Sequence, residues 1–125
     1  MIRAVIFDFN GVLVDDEQVH FELLREILAQ EGIALSEDQY HQEYLGYDDR
    51  GCFETALLRA GQVAGRARVN DLIARKAARY VSVASAGLRV FPGAAQCLAT
   101  LHRRWPVAIC SGALRGEIEF ALNQM

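Results

Sequence analysis

The chain predicts an α/β fold built on a parallel sheet. Three observations carry this reading. Ala4-Val5-Ile6-Phe7 is an uninterrupted apolar run that ends in Asp8, with Gly11 in the turn beyond it. Val107-Ala108-Ile109-Cys110 is a second such run and ends in Ser111-Gly112. Short apolar runs of this kind read as strands buried in a parallel sheet. Between them lie segments with helical spacing, as a crossover between parallel strands requires.

The elements follow in order. After the first strand, Val19, Leu23, Ile27 and Leu28 recur at helical spacing and predict a helix over Glu17–Glu31, with Gly32 as its stop. Asp15 and Glu17 are placed to cap it and to favour its N-terminal dipole. Ser36-Glu37-Asp38-Gln39 reads as a capping box opening a second, shorter helix. A loop around Gly46-Tyr47-Asp48 leads to a third helix, from about Asp49 to Ala60, ended by Gly61. A fourth, from about Ala67 to Ala84, carries Val69, Leu72, Ile73, Tyr80 and Val81, with Gly87 beyond it. Leu88–Phe91 is short and extended. Pro92 is placed as a helix N1 residue, and Gly93–Arg104 form a fifth helix whose basic end, His102-Arg103-Arg104, suits a C-terminus. Pro106 breaks that pattern before the second strand, and a last helix starts near Leu114.

Composition narrows the class. The 125 residues are 52% hydrophobic and 23% charged, with a net charge of −3. That is the profile of a soluble globular chain of one-domain length. It gives no reason to expect nucleic acid or an anionic membrane as partner. No apolar run approaches the ~20 residues that span a bilayer, and the N-terminal run leads into a charged motif, unlike a signal peptide. The three cysteines, Cys52, Cys97 and Cys110, lack metal-ligand spacing. A cytoplasmic protein with reduced thiols is expected.

A carboxylate at the carboxyl end of a parallel strand sits where open α/β sheets place their active sites. The stretch Asp8-Phe9-Asn10-Gly11-Val12-Leu13-Val14-Asp15 resembles the nucleophile motif of the haloacid dehalogenase superfamily, Asp-x-Asp-Gly-Val/Thr-Leu/Ile/Val. Phe91-Pro92-Gly93 and the strand ending in Ser111-Gly112 strengthen the likeness, which runs from Met1 to about Leu122. Within the superfamily it is nearest to the β-phosphoglucomutase and phosphoglycolate-phosphatase branch. The resemblance implies a Rossmann-like parallel sheet, incomplete in this chain, formed by residues 1–14 and 88–125. A four-helix cap occupies residues 15–87.

What the resemblance implies for chemistry is specific. Asp8 would attack a phosphoryl group and carry it as an aspartyl-phosphate; a carboxylate can do this when its target is held in line and its oxygens are neutralised. Ser111 and nearby backbone N–H groups would bind the phosphate, with Gly112 allowing close approach. Asp8 and the backbone carbonyl of Asn10 would be ligands of Mg²⁺. In the cap, His20, Arg50 and Lys76 are candidates for substrate contact, although Lys76 shares its helix with Arg66, Arg68, Arg75 and Arg79 and the group can equally solvate an outer face.

Asn10 departs from the family pattern. The family's Asp there protonates the leaving oxygen and then activates water; an amide keeps the carbonyl ligand but transfers no proton. General acid–base groups contribute roughly 10²–10⁴ in rate. The motifs that supply a Lys or Arg to the aspartyl-phosphate and a second acidic pair to the metal would fall beyond Met125, so the chain reads as the N-terminal part of a longer hydrolase. The expected function is a Mg²⁺-dependent phosphatase of a small phosphorylated metabolite. A β-phosphoglucomutase-like mutase and a non-catalytic binding protein stand as alternatives, and Asn10 leaves open whether this chain is itself active. Substrate and oligomeric state are not legible.

Overall fold

A computed structural model describes all residues, 1–125. The elements are β1 (Val5–Phe7), α1 (Glu17–Gln30), α2 (Glu37–Gln39, running into a π-turn over Tyr40–Tyr44), α3 (Asp49–Arg59), α4 (Arg66–Ala86), α5 (Ala94–His102), β2 (Val107–Ile109) and α6 (Arg115–Gln124). The fold is α/β with a two-stranded parallel sheet. Val5 lies opposite Val107, Ile6 opposite Ala108 and Phe7 opposite Ile109. The bonds Val5 N–H to Pro106 O and Cys110 N–H to Phe7 O, at 3.0 and 2.9 Å, extend the ladder at each end.

Three hydrophobic clusters hold the molecule together. The largest lies among α1–α4 and contains Phe21, Leu24, Leu28, Phe53, Leu57, Val69 and Leu72, all essentially buried. Each such side chain contributes about 1.5–3 kcal/mol through burial. A second cluster packs Phe9, Leu13 and Val14 against Ala94 of α5 and Ala121 of α6. The third joins the two: Leu23, Tyr80 and Ala84 meet Leu88 and Phe120. The chain passes between the helical bundle and the sheet twice, and the two passages lie side by side. Val14 bridges Val90 antiparallel, with Asp15 N–H donating to Arg89 O at 2.8 Å and Phe91 N–H to Leu13 O at 3.0 Å.

Three details differ from the sequence reading, and a fourth decides between alternatives it left open. The strands are not buried on both faces: Ile6 is 68% exposed, because no helix covers the Ile6 side of the two-stranded sheet. Asp16, rather than Asp15 or Glu17, occupies the N-cap position of α1, and its side chain makes no cap bond; the carboxylate has stronger partners elsewhere, described below. Pro92 does not open α5. Gly93 adopts φ +82, outside the helical region, so the helix starts one residue later and Pro92 belongs to the preceding turn. Of the five basic residues on α4, four face outward, Arg75 and Arg79 pairing with α1 at Glu31 and Glu26. Lys76 alone is buried, because it falls in the apolar stripe Val69, Leu72, Tyr80, Ala84.

Candidate functional site

The turn after β1 is a tight knot of backbone. The N–H groups of Val12, Leu13 and Val14 converge on the Phe9 carbonyl at 3.2, 2.9 and 3.3 Å. Gly11 closes the turn at φ +74, a conformation that costs a side-chain-bearing residue about 1–2 kcal/mol. This geometry leaves Asp8 exposed at the strand end. Its Oδ1 accepts the Phe9 N–H at 2.7 Å, which orients the carboxylate.

A cavity of about 210 Å³ opens over Asp8. Asp8, Asn10, Ser111 and Gly112 line it from the sheet side, His20 and Lys76 from the helical side. The structure therefore brings together six of the seven residues that the sequence singled out. The seventh, Arg50, lies outside this cavity, in a neighbouring depression with Asn70 and Leu114. Its guanidinium donates to Asn70 Oδ1 at 2.5 Å and lies 3.8 Å from Glu54. Ser111 Oγ accepts the Ala113 N–H at 3.0 Å, a bond that leaves the hydroxyl proton unused. A methyl at Gly112 would stand 3.4 Å from Asp48 Cβ. That is an ordinary contact distance, so the loop before α3 lies against the loop after β2 without depending on glycine.

Asn10 is held by a residue the sequence reading did not single out. Its amide Nδ2 donates to both carboxylate oxygens of the buried Asp16, at 3.1 and 2.9 Å. Tyr80 Oη donates to Asp16 Oδ2 at 2.8 Å, and His20 Nε2 lies 3.2 Å from the same oxygen. Burial by itself would raise the Asp16 pKa. The hydrogen bonds Asp16 accepts from His20, Asn10 and Tyr80 outweigh burial and hold the carboxyl below its usual range.

The tautomer of His20 follows from its partners. Lys76 Nζ lies 2.8 Å from His20 Nδ1, and an ammonium can only donate. Nδ1 must then accept, the proton sits on Nε2, and Nε2–H donates to Asp16. The 3.2 Å approach of Asn10 Nδ2 to Nε2 is a contact between two donors that share the Asp16 acceptor. The ring stacks on Tyr80 with centroids 5.0 Å apart. Lys76 completes its coordination on Asp49 Oδ1 at 2.7 Å. One continuous chain thus runs from Asn10 through Asp16, His20 and Lys76 to Asp49.

Two further groups line the cavity. Burial, then the charge of Asp49, pushes the Cys52 thiol up to about 12, so it is no thiolate nucleophile at neutral pH. Glu117 of α6 is 3% exposed, and burial above all raises its pKa, against the opposing charge of Lys76. No cluster of three or more His, Cys, Asp or Glu side chains is arranged to hold a metal ion. Asp8 and Asn10, which both line the cavity, offer a carboxylate and a backbone carbonyl as hard oxygen donors. Asp16, Tyr80, Asp49 and Glu117 escaped the sequence reading. The one signal for such a network was a lysine at an apolar-stripe position of α4, four residues from a tyrosine.

A cavity over a strand-end carboxylate, bounded by a serine turn and an inserted helical bundle, is the candidate site of this α/β fold. The model for the haloacid dehalogenase-like hydrolases matches residues 2–125, and the chain belongs to that family. It is similar in fold to CbbY from Rhodobacter sphaeroides. An aspartate-to-asparagine mutant of that protein, in complex with xylulose-(1,5)bisphosphate, matches at TM-score 0.83 and 22% identity, over 99% of this chain and 56% of that one. CbbY in complex with phosphate matches at TM-score 0.81 and 21% identity, over 99% and 56%. A HAD hydrolase of family IA, variant 3, from Entamoeba histolytica matches at TM-score 0.79 and 21% identity, over 98% and 54%. The chain spans a little over half the length of these proteins.

Proposed function

We propose that this chain carries the nucleophile and cap of a Mg²⁺-dependent phosphatase for a small phosphorylated metabolite, with Asp8 as the residue that takes the phosphoryl group. The observation that carries this reading is the exposed Asp8 carboxylate at the end of β1, facing a polar cavity shared with Ser111. Family membership supports it, as does a fold shared with a protein seen with a sugar bisphosphate and with phosphate. Residues 15–87 act as a cap that selects substrate over a catalytic core formed by 1–14 and 88–125.

In this reading the Asp8 oxygen not bonded to Phe9 N–H attacks phosphorus as the ester oxygen departs. Ser111 donates its free hydroxyl proton to a phosphoryl oxygen. The donor set fits Mg²⁺, which prefers hard oxygen ligands: the Asp8 carboxylate and the Asn10 carbonyl, to which none of the turn's amides bond, would hold it. When bound, the ion neutralises charge on the transferring group. Lys76 is the one buried cation at the cavity, and its charge is shared with Asp49. Asn10 supplies no proton, so phosphates with good leaving groups, acyl and aryl, are expected to outrun alkyl phosphates.

The test is acid-quench mass spectrometry of the chain, and of any longer form of it, after incubation with acetyl phosphate and Mg²⁺. A phosphoryl adduct on Asp8 that Asp8→Asn abolishes is the expected result. An adduct that persists in Asp8→Asn removes Asp8 from the mechanism. A second reading, a protein that binds phosphate esters without turning them over, draws on one feature: the Asn10 amide is locked onto Asp16. Saturable phosphate-ester binding without any adduct would favour it.

A further inference from the structure

Glu117 is the one buried polar side chain with an oxygen left without a partner: its Oε1 makes no hydrogen bond, while the side chain is 3% exposed and lines the cavity over Asp8. An unpartnered buried acceptor costs about 1–3 kcal/mol, and native structures keep such groups where a ligand or other partner completes them. No neighbouring side chain gives it a donor: Lys76 directs two of its three N–H groups to His20 and Asp49, and His20 Nε2–H and Tyr80 Oη serve Asp16.

We propose that Glu117 is a substrate-contacting residue that sets specificity, its free Oε1 accepting a hydrogen bond from an O–H or N–H group on the non-phosphoryl end of the substrate. The rest of the lining agrees. Asp8, Glu17, Asp48 and Asp49 add further carboxylates, Lys76 is the sole basic side chain besides His20, and Arg50 is bonded outside the cavity. A second phosphate would meet no free cation here, whereas a hydroxyl or ammonium finds an acceptor. The substrate class is therefore a small phosphomonoester bearing a hydroxyl or amino group, a reading that rests on the phosphatase assignment above. Burial raises the Glu117 pKa; a neutral carboxyl still presents an acceptor oxygen to a hydroxyl, and an ammonium draws it back to the carboxylate.

Three probes on one carbon skeleton test this: propyl phosphate, 3-hydroxypropyl phosphate and 3-aminopropyl phosphate. Their affinities for the protein are measured by calorimetry with Mg²⁺, in wild type, Glu117→Met and Glu117→Gln. The hydroxy or amino compound is expected to bind wild type at least tenfold better than propyl phosphate, since a site built around a polar group rejects the analogue that lacks it. Glu117→Met, of similar length without the acceptor, is expected to erase that preference. Glu117→Gln keeps an acceptor and loses the charge, so it spares a hydroxyl preference and erases an ammonium one. Because Met removes an unpartnered polar atom, its unliganded melting temperature is expected to equal or exceed that of wild type, which separates lost recognition from lost folding. Equal affinity of wild type for all three probes, or a preference that survives in Glu117→Met, overturns the proposal and leaves the phosphatase reading standing. Binding of none of the three overturns both.

Discussion

The Asn10 amide nitrogen lies within hydrogen-bonding distance of both carboxylate oxygens of Asp16, at 3.1 and 2.9 Å. A carboxylate only accepts, so the amide must present its NH₂ side. The pair joins the turn after β1 to the first turn of α1. Where the family pattern puts a carboxylate on the turn, this chain puts the amide there and the carboxylate six residues later.

Asp16 is expected to be a stability residue. Asp16→Ala strands the Asn10 amide, the Tyr80 hydroxyl and the His20 N–H in a buried site. A loss of about 3–5 kcal/mol is expected, read from urea denaturation. Tyr80→Phe removes one donor of three and is expected to cost about 1 kcal/mol.

Asn10→Asp restores the family's acid but sets two carboxylates about 3 Å apart. Such a pair shares one proton and raises the apparent pKa of the dyad. A shift of about two units corresponds to about 3 kcal/mol of stability lost at neutral pH. The double exchange, Asn10→Asp with Asp16→Asn, places one carboxylate and one amide again and is expected to recover most of that loss. Additive losses in the double-mutant cycle would show that the two side chains do not interact.

Falling and rising pH are expected to act on two different carboxyls with opposite signs. Asp16 has a folded pKa below its ordinary 3.8. Its contribution is present above that value and is lost as pH falls through the lower folded pKa. Glu117 has a folded pKa above its ordinary 4.5. The folded state holds its proton more tightly, so stability is fullest below 4.5 and declines as pH rises through the raised pKa. Asp16→Asn should therefore flatten the acid limb of a stability–pH curve, and Glu117→Gln the decline that starts above pH 4.5.

The Lys76–His20 contact predicts a tautomer. Nitrogen-detected NMR of His20 is expected to show the proton on Nε2 in the wild type. Lys76→Met removes the donor that fixes Nδ1 as acceptor and leaves Asp49 unpaired. It is expected to mix the tautomers and to cost about 1–3 kcal/mol in chemical denaturation.

Much of the fold was legible because its signals are local. Ser36 and Asp48 cap their helices as short-range chemistry dictates, accepting the N–H groups of Gln39 and Gly51. The two apolar runs pair in parallel, and the glycines at 32, 61 and 87 follow helix ends. Local rules failed where a distant partner outbid them. Asp16 occupies a cap position yet bonds to Tyr80, 64 residues away, in preference to the helix. Pro92 has the right residue type for N1, but the left-handed Gly93 beside it delays the helix.

The sequence by itself determined the α/β class, the strand-end Asp8 and the serine turn at Ser111. Each depends on residue type and spacing within a few positions of the chain. Only the tertiary structure decided which polar side chains meet. Lys76 turned inward and Arg50 outward because α4 and α3 present those faces to different neighbours, and no one-dimensional period distinguishes a buried lysine from a solvated one. Asp16 and Glu117 acquired their opposite environments in the same way. One was surrounded by donors from α1, α4 and the β1 turn, while the other kept an oxygen without any. Desolvation acts on both carboxyls alike, and the difference lies in the partners that folding delivers.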